Sequence, residues 1–340
     1  MKTDVVVYRR KISYLFIGLL CLLFIGGVLP RLSALDGAEL MTYMTVFKSM
    51  FISILLEALP FLLLGIFVSS IMQVVIPEAW IQKIIPKHPV LGVLVASFLG
   101  MLFPVCECGL IPVVRRLMAK GMPLYAGVTF ILAGPIVNLV VISATFTAFR
   151  GRNEFVYSRV GLAILVSCIV GLIVYSFIRK DPRKLSGTNE FAQSSVQSLS
   201  GNNKRNAIHQ ILRHSSDEFF DMGKYLILGA FITGLIQTLV PRAELIAIGQ
   251  GELTSHFFML GFAYILSLCS TSDAFVASSF LTTFSASSLL TFLVFGPMID
   301  FKGTLMLCSV FRLKFVIFLI VAVAIVVLGG SLAIGAFNVV

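Results

Sequence analysis

The chain has 340 residues, 58% of them apolar and only 12% charged, and it carries a net charge of +10. An average soluble domain is about half apolar and about a quarter charged; the excess here falls in long runs, which marks a bilayer-embedded chain rather than a large soluble core. The basic residues sit between those runs and report topology and contact with anionic lipid, so the lipid bilayer, and not nucleic acid, is the expected partner of the charge.

A first apolar run, 14–32, follows Arg9, Arg10 and Lys11. It is too long for a signal-peptide core and no A-x-A-like cleavage site follows, so a retained N-terminal membrane helix over 1–43 is expected. A long helix is predicted over 44–76, followed by apolar runs at 90–103, 122–149 and 157–178. The polar stretch 179–213, with Asp181-Pro182, many Ser and Asn and several basic residues, reads as a solvated linker. Beyond it lie 219–240, 257–268, 289–311 and 315–336. The expected divisions are the first helix at 1–43, a membrane repeat at 44–178, a cytoplasmic basic linker at 179–213 and a second membrane repeat at 214–340.

Two of the runs, 90–103 and 257–268, are too short to span: at about 1.5 Å per residue each reaches about 20 Å, against a hydrocarbon core of about 30 Å. Each leads into a polar patch and a second short stretch, 109–119 and 274–284. Each pair is predicted to form a re-entrant hairpin with its tip at membrane depth, where irregular backbone is tolerated only if protein or a wet cavity surrounds it.

The halves carry an internal repeat. "LGIFVSSIMQVVIP", ending at Pro77, matches "LGAFITGLIQTLVP", ending at Pro241. At that one offset Gly65 falls on Gly229, Gln73 on Gln237 and Glu57 on Asp221. "AGPIVN", ending at Asn138, matches "FGPMID", ending at Asp300, with a two-residue drift. With a cytoplasmic N-terminus most basic residues fall inside, while Arg150, Arg152 and Arg159 fall outside against the rule. An odd number of crossings then separates equivalent points, which makes the repeats inverted, the layout of secondary transporters. If both hairpins crossed fully, the repeats would be parallel. The fold class expected is an all-α polytopic membrane protein with two inverted-topology repeats, about seven full crossings and two re-entrant broken-helix hairpins.

Chemistry concentrates at the breaks. In "FPVCECGLIP", Pro104, Gly109 and Pro112 interrupt the helix around Cys106, Glu107 and Cys108. Two thiols on one irregular loop suit a soft ion; the alternative is that they are small apolar fillers. The matching tip runs Cys269, Ser270, Thr271, Ser272, Asp273. Its polar groups need partners or water at depth, and Ser272 or Asp273 is also a candidate helix N-cap. Asn138 and Asp300 follow Gly-Pro breaks, either as site residues or as polar groups closing a kink. Lys302 lies two residues after Asp300, a spacing that does not face on a straight helix, so no ion pair between them is expected. Glu57, Asp221 and Lys302 are candidates for proton coupling, with plain solvation near helix ends as the alternative for the two carboxylates. All six cysteines (Cys21, Cys106, Cys108, Cys168, Cys269 and Cys308) lie in apolar runs, against a disulfide framework. No phosphate-binding G-x-x-x-x-G-K-[ST] occurs, no nucleic-acid motif is present and no cofactor is expected. A thiol enzyme lacks a nearby His base, so the chain reads as a transporter rather than an enzyme.

The stretches "FPVCECGLIPVVRRLMAKGMP", "FILAGPIVN", "LSLCSTSDAFVA" and "FGPMID" resemble the predicted-permease family that includes the ArsP organoarsenical efflux permeases and the YraQ-like proteins. The resemblance runs from about residue 51 to 332. It implies efflux across the bacterial cell membrane. For ArsP-like members it implies a trivalent organoarsenical substrate held by thiols, matching Cys106 and Cys108, with Cys269 a third. Cys106, Cys108 and Cys269 are accordingly the expected ligands of a soft metal or metalloid cargo. Some members are encoded beside a second membrane protein of the YcgQ type. The resemblance therefore also implies a two-component complex, in which this chain transports a metal ion or serves as a scaffold subunit. A homo-oligomer stays open, because lipid-facing and partner-facing apolar surfaces look alike in sequence.

Overall fold

In lipid, backbone polar groups must be satisfied internally, as an α-helix does within one segment, and among the described residues every regular element is a helix. The computed structural model describes residues 37–75, 86, 88–102, 106–178, 204–239 and 251–337. The expected first helix over 14–32, Cys21 and most of the expected linker lie outside the described residues.

The first half comprises α1 (Gly37–Val75), α2 (Pro89–Leu102), α3 (Glu107–Ala119), α4 (Leu124–Ala133), α5 (Leu139–Ala148) and α6 (Asn153–Phe177). The second comprises α7 (Lys204–Leu239), α8 (Glu252–Leu266), α9 (Ser272–Ser278), α10 (Ala286–Met298), α11 (Phe301–Val310) and α12 (Leu313–Ala336). Among the described residues five stretches are long and apolar enough to cross a membrane: Met41–Ile71, Asn153–Phe177, Glu218–Thr238, Ala286–Val310 and Leu313–Ala336. The chain is thus an all-α, multi-pass bundle. α7 begins at Lys204, inside the stretch expected as linker.

Two expected continuous spans are broken. The run 122–149 divides into α4 and α5, and 289–311 into α10 and α11. The reason is local. Gly134-Pro135 and Gly296-Pro297 supply each break, and the next polar residue caps the helix that follows. Asn138 accepts a hydrogen bond from the Val141 N–H at 2.8 Å. Asp300 accepts one from the Gly303 N–H at 2.6 Å. Each satisfies one orphan donor of a helix start. The short helix α2, as expected, ends just before the Cys106 segment.

α1 and α7 pack along each other on one side of the bundle, and each presses a broken element of its own half inward: α1 meets α3, and α7 meets α11. Matched glycines set these approaches. A Cβ at Gly65 would fall on the backbone of Gly109 in α3, and one at Gly229 would stand 3.2 Å from the Lys302 Cα in α11. Small residues at helix crossings serve this purpose in lipid, where close backbone approach replaces the hydrophobic effect as the source of contact. α6 and α12 pack together on the other side, with α4 and α10 between. At the periphery, the Arg116 side chain donates to Glu218 at 2.9 and 2.6 Å and ties the end of α3 to α7.

Candidate functional site

The glycine crossings bring the start of α3 against the start of α11. Cys106 is the N-cap of α3, and Glu107 and Cys108 are its first residues. Glu107 is 5% exposed and Lys302 is 4% exposed. The Lys302 Nζ lies 3.4 Å from Glu107 Oε1 and 3.7 Å from Asp300 Oδ2. The pairing of Asp300 with Lys302 runs against the spacing argument. Asp300 is an N-cap with extended backbone (φ −119°, ψ 172°), so helical facing rules do not reach it. The Lys302 ammonium also donates to the Ser267 carbonyl at 3.4 Å. Ser267 caps α8 in the left-handed region (φ 47°), unusual for a residue other than glycine. Its hydroxyl accepts from the Phe301 N–H at 3.2 Å, another orphan donor of α11.

The thiols lie around this charged group. Cys108 Sγ is 3.9 Å from Glu107 Oε1, and the Cys108 and Cys106 thiols lie against each other. Cys269, from the second half, stands within electrostatic reach of Cys106, Glu107 and Glu57, and Thr271 donates to its sulfur at 3.7 Å. Ser272 donates to Glu57 Oε1 at 3.1 Å, which carries the cluster across to α1. The outer oxygens Glu107 Oε2 and Asp300 Oδ2 are buried and have no hydrogen-bond partner among the described residues. Two buried carboxyl groups thus face one ammonium. Ionisable side chains enclosed in a membrane bundle need partners, and these find them in one another.

Of the candidates, Cys106, Glu107, Cys108, Cys269, Ser272, Asp300, Lys302 and Glu57 are thus brought together. Asn138 closes the equivalent break at α5, where its amide also donates to the Gly134 carbonyl at 3.2 Å. Asp221 lies apart: it is exposed on α7 and pairs at 2.8 Å with Lys224 one turn on. Neither Ser272 nor Asp273 is the N-cap of α9; Thr271 holds that position and its side chain makes no capping bond. Among the described residues no group of three or more His, Cys, Asp or Glu side chains is arranged to hold a metal ion. Cys106 and Cys108 thus flank Glu107, with Cys269 within electrostatic reach of it.

Two residues of the site escape a sequence reading. Ser267 has no signal beyond lying next to the polar tip. Arg159 reads as a charge on the outer side, near the start of the run 157–178 and against the positive-inside rule, but it is 1% exposed within α6. Its guanidinium donates to both Asp273 oxygens at 2.9 and 2.8 Å and to the Ser270 carbonyl at 3.1 Å. Its other terminal nitrogen donates to Thr145 of α5 at 2.7 Å. Its apparent violation of the charge rule was the available signal: a basic residue inside an apolar stretch needs a partner.

A multi-pass helical bundle whose broken helices meet at a buried group of thiols and paired charges defines a membrane permease of the bacterial cell membrane. Comparison with known proteins agrees. The predicted-permease family ArsP_1 matches residues 44–336, and the chain belongs to that family, which is not an enzyme family. The chain is 47% identical over 290 residues to UPF0718 protein YcgR of Bacillus subtilis (strain 168), covering 84% of this chain and 95% of the relative. It is 37% identical over 273 residues to a Streptococcus mutans protein, "Putative two-component membrane permease complex subunit", covering 79% of this chain and 88% of that one. No solved structure matches the chain.

Proposed function

We propose that the protein is a secondary transporter that exports a small thiol-seeking cargo, a soft metal ion or an organometalloid, through the cluster at the helix breaks. The observation that carries this reading is the buried Glu107–Lys302–Asp300 group where α3 meets α11, with Cys106 and Cys108 flanking Glu107 and Cys269 of the second half within electrostatic reach. Thiols bind soft ions, and the two carboxyl groups beside them disfavour an oxyanion as cargo. The thiols engage the cargo, and Lys302 gives up part of its hold on Glu107 and Asp300 as the site fills. Glu57, joined through Ser272, is the candidate for coupling on the α1 side. Asn138, Ser270 and Thr271 shape the backbone around the cavity, and Asp221 stays outside the pathway.

The two halves are proposed as inverted repeats whose broken elements meet near midplane. The packing supports this. α2 with α4 in the first half is matched by α8 with α10 in the second, and α4 with α6 by α10 with α12. Crosswise, α3 meets α11 as α5 meets α9. About seven full crossings with re-entrant segments at α3 and α9 fit this pairing, and alternating access then comes from rocking one repeat against the other.

The test is transport in membrane vesicles of a panel of soft ions and methylated trivalent arsenicals, with wild type and Cys106→Ser/Cys108→Ser. Movement of one species that the double variant loses supports the reading and names the cargo. Movement of that species by the double variant at the wild-type rate sinks the thiol mechanism. A second reading is favoured by the Streptococcus mutans relative, whose name makes it one subunit of a two-component complex. Here the chain is the membrane subunit of a pair with a YcgQ-like protein. Transport that needs both proteins in the same vesicles, with the chain alone inactive, selects this reading.

A further inference from the structure

The Cys269–Asp273 tip is a short irregular segment between α8 and α9, and its own helix makes no side-chain capping bond to steady it. The Ser272 and Asp273 N–H groups turn it locally by donating to the Cys269 carbonyl, each at 3.0 Å, and the other half of the molecule adds side-chain contacts that hold the turn in place. One guanidinium, Arg159 on α6, reaches the Ser270 carbonyl and both oxygens of Asp273, so it clamps the tip at two points. Between those points lies Ser272, which meets Glu57; just before them lies Cys269, within electrostatic reach of Cys106 and Glu107. Through its second terminal nitrogen the guanidinium is itself fixed to Thr145 on α5.

We propose that Arg159 is a positioning residue: it holds the second-half tip against the first half so that the Cys269 thiol lies in register with Cys106 and Cys108. The assignment rests on the reading of the thiol cluster as the transport site, but the geometry it claims is measurable without transport. Arginine suits the task and lysine does not, because a planar fork meets a carboxylate, a carbonyl and a hydroxyl at once, while an ammonium is a single point of charge. Asp273 is by the same geometry consumed by Arg159. Its carboxyl oxygens are both occupied by the guanidinium, while Glu107 and Asp300 share Lys302. Asp273 therefore serves the site through the shape of the tip and not as a ligand of the cargo. The clamp also joins the two halves directly, since Arg159 and Thr145 lie in one and Ser270 and Asp273 in the other.

Thiol bridging tests this. Purified protein keeping only Cys106 and Cys269, the other cysteines changed to Ser, is reacted with dibromobimane, which becomes fluorescent on joining two neighbouring thiols. Unmodified Arg159 is expected to give rapid bridging. Arg159→Met removes the clamp but strands Asp273, so it is paired with Arg159→Met/Asp273→Leu, which removes both charges and commonly leaves stability intact. Both are expected to bridge at least about tenfold more slowly, the scale of losing charge-assisted hydrogen bonds that order the tip. Asp273→Asn, which keeps the size and one acceptor oxygen, is expected to fall between. Bridging at the unmodified rate in the double variant or, should that variant not fold, in Asp273→Asn makes Arg159 a purely structural partner and overturns the proposal. Slow bridging in protein that moves no cargo keeps the positioning role and removes the transport reading alone.

Discussion

Lys302 stands between carboxylates from two elements, Glu107 at the start of α3 and Asp300 at the cap of α11. Removing one member of a buried charged set costs about 3–5 kcal/mol, because the remaining charges lose their partner in a low-dielectric site. Lys302→Met is therefore expected to lower thermal stability in detergent by that order. Lys302→Met with Glu107→Gln is expected to recover a large part of it, with a coupling of about 1 kcal/mol or more between the two positions. Additive losses would mean that the two groups do not interact in solution. Asp300 has two functions that substitution separates. Asp300→Asn keeps an oxygen for the Gly303 N–H, so its stability cost stays small, while its lost charge is expected to abolish transport. Asp300→Ala also loses the cap, a further cost of about 1 kcal/mol. Equal melting temperatures for Asn and Ala would contradict the capping role. At this scale the sequence was most informative about residue types at breaks and least informative about pairing. The Cys-Glu-Cys and Gly-Pro-x-x-Asn/Asp signals are local. Arg159 and Asp273, 114 residues apart, meet only through the fold, and local chemistry says nothing of that contact.

At the scale of elements, the long apolar runs identify α1, α6, α7 and α12 directly, because length and hydropathy alone make a spanning helix. Hydropathy does not mark where an apolar stretch breaks, so 122–149 and 289–311 read as single spans. The Gly-Pro pairs were visible there as kinks, but a full break followed by a fresh cap depends on tertiary partners such as Ser267 for α11. The glycines of the repeat have unequal duties that follow from distance. A Cβ at Gly65 has no room against the Gly109 backbone, whereas one at Gly229 needs a shift of only a few tenths of an ångström from Lys302. Gly65→Ala is expected to destabilise by about 1–3 kcal/mol or to block folding, as overpacking does, and Gly229→Ala by clearly less. Melting temperatures of the two variants check the order; a reversed order would mean that α1 and α3 do not cross at Gly65.

For the whole molecule, the account makes the thiol cluster a site between two halves that open in turn. Cys106 is 9% exposed, so reaction at this position requires the protein to open. The most direct measurement uses protein with Cys106 as its one cysteine, the other five changed to Ser, in right-side-out and in inside-out vesicles. A membrane-impermeant maleimide is applied to each, and the labelled fraction is followed with time. Alternating access predicts slow but complete labelling from both faces, with each rate changed when the Arg159 clamp is removed. Labelling from one face only, with none from the other after the first has gone to completion, would contradict a transport site at the cluster.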